Sequence, residues 1–231
     1  MSDNTKPFYH ADHVGSLLRP PELLAARLQW KAGGLAKDAL QNLEDGAIRD
    51  AVRLQEALGL GIITDGEFRR ENWWIDFVSQ INGIKISEPD KGAEFKTSQE
   101  EGSGYVPLVV ETTGKVRFSG ALTAGDFTFL AGCTSKIPKV AIPSPTRIHF
   151  HSGRAKVNPA AYPDMDQFWA DIVAFYRQEI AALEELGCRY IQIDDPVLTY
   201  FLDDRTRGNL AAIGEDPDQL IHTYADVLNR L

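Results

Sequence analysis

Cysteine is scarce: Cys133 and Cys188 are the only two in 231 residues. Two thiols so far apart make a poor disulfide framework and suit a reducing cytoplasm, where the protein is expected. Neither has a second Cys or a His at metal-ligand spacing. Blocks of Lys and Arg are also missing, and the balance is acidic, with 33 Asp and Glu against 24 Lys and Arg. An acidic chain without a basic stripe attracts phosphate backbones poorly, which argues against a nucleic-acid partner. No apolar run approaches a membrane span. The polar start, MSDNTKPFYH, lacks the apolar region of a secretory signal. No Gly-rich phosphate turn follows the first apolar segment, which counts against an open dinucleotide-binding sheet.

What is present is enough apolar residue for one sizeable core, 43% of the chain. Helices alternate with short apolar strands. Residues 8 to 18 read as a short strand ending at Gly15-Ser16, and Pro20-Pro21 then opens a helix with Leu23, Leu24, Arg27 and Leu28 in its first turns. After the break at Gly33-Gly34, a second helix is expected from about Lys37 to Leu58. Ile48, Ala51, Val52, Gln55 and Leu58 mark one face, and Gly59 is the stop. Leu60–Thr64 follows as an apolar strand leading into Asp65-Gly66-Glu67. Val140–Ile142 leads into Pro143-Ser144-Pro145-Thr146, and Tyr190–Ile193 into Asp194-Asp195-Pro196. Between these last two, Phe168, Ile172, Phe175, Tyr176, Ile180 and Leu183 form a helical stripe, stopped at Gly187. The last helix runs from about Pro217 to Leu231, with Ile221, Tyr224, Ala225 and Leu228 on one face.

This alternation predicts a parallel sheet covered by helices. Core strands are read near residues 10, 62, 140 and 191, where a (β/α)8 TIM barrel needs eight. Residues 1–231 are therefore expected to form one incomplete barrel domain, about its first half. Its open edges are expected to leave these residues poorly soluble by themselves. Residues 84–119 break the pattern. Tyr105–Glu111 and Lys115–Phe118 read as strands around a Thr112-Thr113-Gly114 turn, a β-hairpin insertion that could serve as a lid.

In parallel barrels the C-terminal strand ends face the active site. Here those ends carry His13 and Ser16, Asp65 and Glu67, Ser144 and Thr146, and Asp194 and Asp195. Ionised carboxylates accept from all three N–H donors of an ammonium group, so convergent acids suit a substrate amine. The plainer alternative for Asp65 and Asp195 is capping of the turns that follow. Other features have plain alternatives too. Trp73-Trp74 could line a pocket or fill core. His149 and His151, if on a strand, would point one way, yet no third metal ligand lies near. Arg69-Arg70 could anchor a carboxylate, or could be solvated and paired with Glu71. Asp203-Asp204-Arg205 reads as a helix start.

The stretches His13–Pro20 (HVGSLLRP), Asp65–Asn72 (DGEFRREN) and Ile191–Pro196 (IQIDDP) resemble the cobalamin-independent methionine synthase family. The closer likeness is to the single-domain proteins related to that enzyme's C-terminal catalytic barrel. The resemblance implies zinc-dependent methyl transfer from a methylfolate, 5-methyltetrahydrofolate or its polyglutamate, to the homocysteine thiol. It implies that Val14, Gly15 and Ser16 contact homocysteine and that Glu67 and Asp194 hold its amino group. It places Phe150 nearest the role of the pterin-stacking aromatic. Asp195 stands where the family has Glu, and Tyr200 where it has a folate-contacting Glu. The family's zinc ligands and catalytic His would lie beyond Leu231, so no metal ligand is expected within the sequence. Alkyl transfer to another thiol of the coenzyme-M type, an inert truncated paralogue that keeps the amine pocket, and a decarboxylase of the related uroporphyrinogen barrel are the alternatives.

Overall fold

The computed structural model describes residues 12–88 and 108–231. In chain order it has helices α1 (Pro21–Lys31) and α2 (Lys37–Ala57), strand β1 (Ile62–Ile63), short helix α3 (Ile75–Val78), and strands β2 (Asn82–Ser87) and β3 (Val109–Arg117). Helix α4 (Ala124–Cys133) and strand β4 (Ile137–Pro143) follow, then 3-10 turns at Pro145–Ile148 and Arg154–Lys156. The remainder is α5 (Met165–Glu185), β5 (Tyr190–Asp194), α6 (Val197–Tyr200), α7 (Asp204–Ala212) and α8 (Pro217–Asn229). The fold is α/β. Strands β1, β4 and β5 form one sheet in the order β1-β4-β5, and β1 runs parallel to β4 with Ile62 opposite Ile137. Among the described residues the sheet is partial and no barrel closes. No described helix is long and apolar enough to cross a membrane.

The chain divides into two compact units. One contains residues 12–73, Thr123–Ala141 and Leu183–Gln192; the other contains residues 74–88, 108–122, Ile142–Ala182 and Ile193–Leu231. In the first, α1 and α2 bury Leu23, Ala26, Leu40, Ile48, Ala51 and Val52 around Ile63, Phe68 and Leu130. A buried aliphatic side chain of this kind contributes about 1.5–3 kcal/mol. The expected α2 face is buried except at its last member, because Leu58 caps the helix and is exposed. Gln55 lies on the same face and does polar work. Its amide donates to Thr64 O (2.9 Å), and its carbonyl accepts from Thr64 N (2.9 Å) and lies 2.8 Å from His13 Nε2. Lys139 of β4 is fully buried. Its ammonium donates to Asp12 (2.9 Å), to Gln192 (3.0 Å) and to the carbonyl of His13, so the charge is satisfied within the unit.

The second unit is built on aromatics. Phe77, Phe175 and Tyr176 pack edge to face, and Tyr176 donates to Pro143 O at 2.8 Å. His149, Trp169, Phe201 and Tyr224 form a second cluster under α8, whose buried residues are Leu220, Tyr224 and Val227. The buried face is thus turned slightly from the expected Ile221–Leu228 stripe.

Three expectations need correction. Residues Thr112-Thr113-Gly114 are not a turn: β3 runs through them as one strand, antiparallel to β2, with the register shifting between Asn82 and Ile84. A bulge absorbs the extra residues that the turn-like composition suggested. Of the expected strand Tyr105–Glu111, Val109–Glu111 belong to β3, while residues 105–107 lie outside the described residues, as does the rest of 89–107 in the insertion. The first strand shrinks to an isolated parallel bridge, Ser16 to Gly66, and its residues 8–11 also lie outside the described residues. Finally, His149 and His151 sit in a turn after a 3-10 segment rather than on a strand.

Candidate functional site

The Asp65-Gly66-Glu67 motif leaves β1 in a tight turn. Gly66 and Glu67 both have positive φ, 68° and 57°, and Glu67 is the one non-glycine residue so placed among the described residues. A left-handed non-glycine residue costs on the order of 1 kcal/mol and persists only where its surroundings hold it. Several groups do so. Asp65 Oδ1 accepts from Glu67 N at 2.8 Å, Leu17 N donates to Gly66 O at 3.0 Å, and Thr64 Oγ1 donates to Gly15 O at 2.8 Å. Arg19 Nη2 donates to Glu67 O at 3.1 Å, and both Arg19 and Arg27 donate to Arg70 O.

The result is a carboxylate in a buried place. Glu67 is 3% exposed, and Arg70 Nη1 stands 3.7 Å from its Oε1. Gly15 passes directly over it: a Cβ there would lie 3.2 Å from Glu67 Oε1 and 3.3 Å from the Ala141 side chain. Gly15, Ser16 and Glu67, apart in sequence, are thus brought together. Val14 points to solvent and is 64% exposed.

Gly66 has less room still. A Cβ there would meet the Phe68 ring at 2.9 Å and Leu17 Cβ at 3.2 Å, on top of the strain of its positive φ. Gly66→Ala is expected to lower stability by roughly 1–3 kcal/mol and to displace Glu67. Thermal unfolding checks the first effect; an unshifted midpoint would show that the turn relaxes freely.

Asp194 ends β5 in the second unit, and its carbonyl accepts from Ser144 N at 2.9 Å. Its neighbour takes the capping role. Asp195 Oδ1 accepts from Val197 N at 2.9 Å, and Oδ2 accepts from Ser144 Oγ (2.7 Å) and Thr146 Oγ1 (3.1 Å). Asp65 and Asp195 are therefore occupied in local turns. Phe150 is fully buried against His151, Tyr200 and Phe201, with centroids at 4.8, 5.5 and 5.9 Å. A pterin could reach its face only if Tyr200 or Phe201 moved aside.

The arginines of the motif are not solvated. Arg70 is buried and donates to Ala141 O at 2.6 Å, while Arg69 pairs with Asp45 (2.6 Å) and Asp126 (3.1 Å). Glu71 pairs instead with Lys31. Burial, then the charge of Asp65, pushes the Asp126 carboxyl up to about 6 against the pull of Arg69 and Arg70. Trp74 is buried with the Arg147 guanidinium 4.5 Å above its ring, so it is core. Burial, reinforced by Arg154, holds His149 down to about 3, so it is neutral at ordinary pH; burial and Arg147 also depress His151. Sequence reading missed the roles of Arg19, Arg27 and Asp126. Arg19 lies inside the HVGSLLRP stretch, but nothing local says that its donors reach a turn some fifty residues on.

No group of three or more His, Cys, Asp and Glu among the described residues is arranged to hold a metal. Cys188 is buried, and burial raises its thiol above the usual range, opposite to what a zinc thiolate wants. The described residues do not fit zinc.

A family model described as the catalytic domain of cobalamin-independent synthase matches residues 10–215. The uncharacterized protein YxjG of Bacillus subtilis is 34% identical over 97% of the chain, which spans 58% of that relative. A protein named 5-methyltetrahydropteroyltriglutamate–homocysteine methyltransferase from Aeromonas salmonicida is 28% identical over 91% of the chain, and the match spans 26% of that relative. A crystal structure from Listeria monocytogenes, provisionally assigned as a vitamin-B12-independent methionine synthase, superposes with a TM-score of 0.75 at 31% identity. It covers 96% of the chain, which spans 60% of that structure. The chain spans well under two thirds of each of these proteins, and it belongs to the cobalamin-independent synthase catalytic-domain family.

Proposed function

We propose that the protein takes part in methyl transfer to the sulfur of homocysteine, giving methionine, with a methylated tetrahydropteroyl compound as donor. The observation that carries this reading is the buried Glu67 carboxylate on its strained turn beside Gly15. In the reaction the thiolate sulfur bonds to the methyl carbon as the N5–methyl bond breaks. The bonding electrons go to the pteridine nitrogen, which then takes up a proton. The residues of this chain hold the acceptor. Glu67 accepts N–H bonds from the homocysteine ammonium, and the same role is proposed for Asp194. Gly15 and Ser16 form the backbone wall against which the amino acid lies, with Val14 at its rim. The stacking role proposed for Phe150 requires the Tyr200 or the Phe201 ring to give way. A barrel architecture of which this chain supplies about the first half fits the parallel pairing of β1 with β4, and zinc to activate the thiol would come from ligands elsewhere in the enzyme.

The test is methionine formation from homocysteine and a methylated tetrahydropteroylglutamate, with 2-mercaptoethanesulfonate as a competing acceptor. Methionine is the expected product. Methylation of the sulfonate thiol alone would replace homocysteine with an acceptor lacking an amine. No turnover with either, in a protein that still binds homocysteine, would point to an inert binding protein.

A further inference from the structure

Arg19 lies between Ser16 and the start of α1, outside any helix or strand. Its donors go to two carbonyls of the turn that displays Glu67. Nη2 donates to Glu67 O at 3.1 Å and to Arg70 O at 2.8 Å, and Nε donates to Arg70 O at 3.2 Å. Arg27 grips the same turn from α1, with Nη2 on Phe68 O (2.6 Å) and Nη1 on Arg70 O (2.9 Å). The two differ in what else they hold. Arg27 is buried and forms a 2.8 Å ion pair with Glu44 of α2, so it also ties the helices together. Arg19 is only half-buried, and among the described residues its bonds go to Glu67 and Arg70.

We propose that Arg19 is a positioning residue: by holding the Glu67 and Arg70 carbonyls it fixes Glu67 in its positive-φ conformation and aims the carboxylate at the acceptor amine. A planar guanidinium can fork over two carbonyls at once, which a compact ammonium on a flexible stem cannot do with the same geometry. The backbone at Glu67 prefers to leave the left-handed region. Without the clamp, rotation there swings the side chain away from Gly15 while the core under α1 and α2 stays packed. Arg19 thereby determines amine recognition without touching the substrate. This inference rests on the reading of Glu67 as the amine holder.

The experiment compares two probes, homocysteine and 4-mercaptobutanoate, which lacks only the amine. Their binding to the full-length enzyme is measured calorimetrically for the wild type and for Glu67→Gln, Arg19→Met and Arg19→Lys, with thermal unfolding run on each. Arg19→Met is expected to weaken homocysteine about tenfold, as for loss of a hydrogen bond to a charged donor, and to leave 4-mercaptobutanoate within about twofold. Arg19→Lys should fall between Met and wild type. If Arg19→Met does not fold, Arg19→Lys carries the test and must show the same selectivity in smaller measure. Equal weakening of both thiols, or of neither, alongside a selective Glu67→Gln overturns the role of Arg19 and spares Glu67. An unselective Glu67→Gln removes the reading on which the proposal stands, and the proposal with it.

Discussion

Glu67→Gln weakens homocysteine binding by about 10²-fold or more while leaving 4-mercaptobutanoate nearly unchanged; this is the largest effect expected of any single substitution in the site. Gln keeps the shape of Glu and can still accept through one oxygen, so the loss measures charge rather than volume. Removing the charged partner of a buried ammonium costs about 2–5 kcal/mol, and each 1.4 kcal/mol is a factor of ten. The environment places Glu67 above the lower end of that range. Its carboxylate is 3% exposed, so water cannot replace the lost charge, and the backbone of Gly15 packs close beside Oε1, where a Cβ would lie only 3.2 Å away. Arg70 keeps its Nη2 bond to Ala141 O when Glu67 is neutralised, while its buried Nη1 loses the carboxylate 3.7 Å away, so part of the cost falls on the fold. The expected signature is weakening selective for the amine-bearing thiol, alongside a lowered unfolding temperature from the lost charge beside Arg70. Parallel loss for both thiols would mean that Glu67 holds the turn and not the amine.

The second large effect is on stability as the solution is acidified. His149 is buried at 2% exposure, its Nδ1 lies 3.0 Å from the Tyr224 hydroxyl, and its ring packs on Trp169. Burial, then Arg154, lowers its pKa to about 3 from an ordinary 6.5. A base depressed in the folded state stabilises fully above its unfolded pKa. That stabilisation is lost as pH falls below 6.5, because the unfolded chain then binds a proton which the folded chain refuses. From pH 8 to pH 5 the loss from this one residue is about 2 kcal/mol, out of a typical total of 5–15. His151, depressed by burial and Arg147, adds to it in the same sense. Asp126 works the other way: its raised carboxyl gains a proton in the folded state as pH falls through about 6. The difference between wild type and His149→Gln cancels both contributions. Gln can still meet the Tyr224 hydroxyl, so the variant should lose about 2 kcal/mol less between pH 8 and pH 5. Urea unfolding at the two pH values reads this directly. Parallel losses in the two proteins would show that His149 takes up its proton in the fold.

Sequence alone determined the elements whose signal is local. Helices α1, α2, α5 and α8 are visible from their starts, their apolar stripes and, for all but α8, the glycines that stop them. Strands β1, β4 and β5 show as short apolar runs before polar ends. Gly15, Ser16, Glu67 and Asp194 stand at the polar ends of such runs, and the roles proposed for them come from the family resemblance. Helix α4 was not, because AGDFTFLAGC is Gly-rich and has no apolar stripe. Strand β3 was misread because a bulge looks like a turn when its partner strand is unseen. What the tertiary structure decided was how each polar group is satisfied, since that depends on atoms distant in sequence. Arg69 and Arg70 read as either a carboxylate anchor or solvated partners of Glu71, yet Asp45, Asp126 and Ala141 draw them inward. Asp65 and Asp195 read equally as site acids or as turn caps, and the structure places their oxygens on nearby N–H and O–H groups. Arg19 carried no local sign of its role. Hydrophobic periodicity is written along one helix or strand, whereas the partner of a buried charge is set by which chain segments the fold brings within about 3 Å of it.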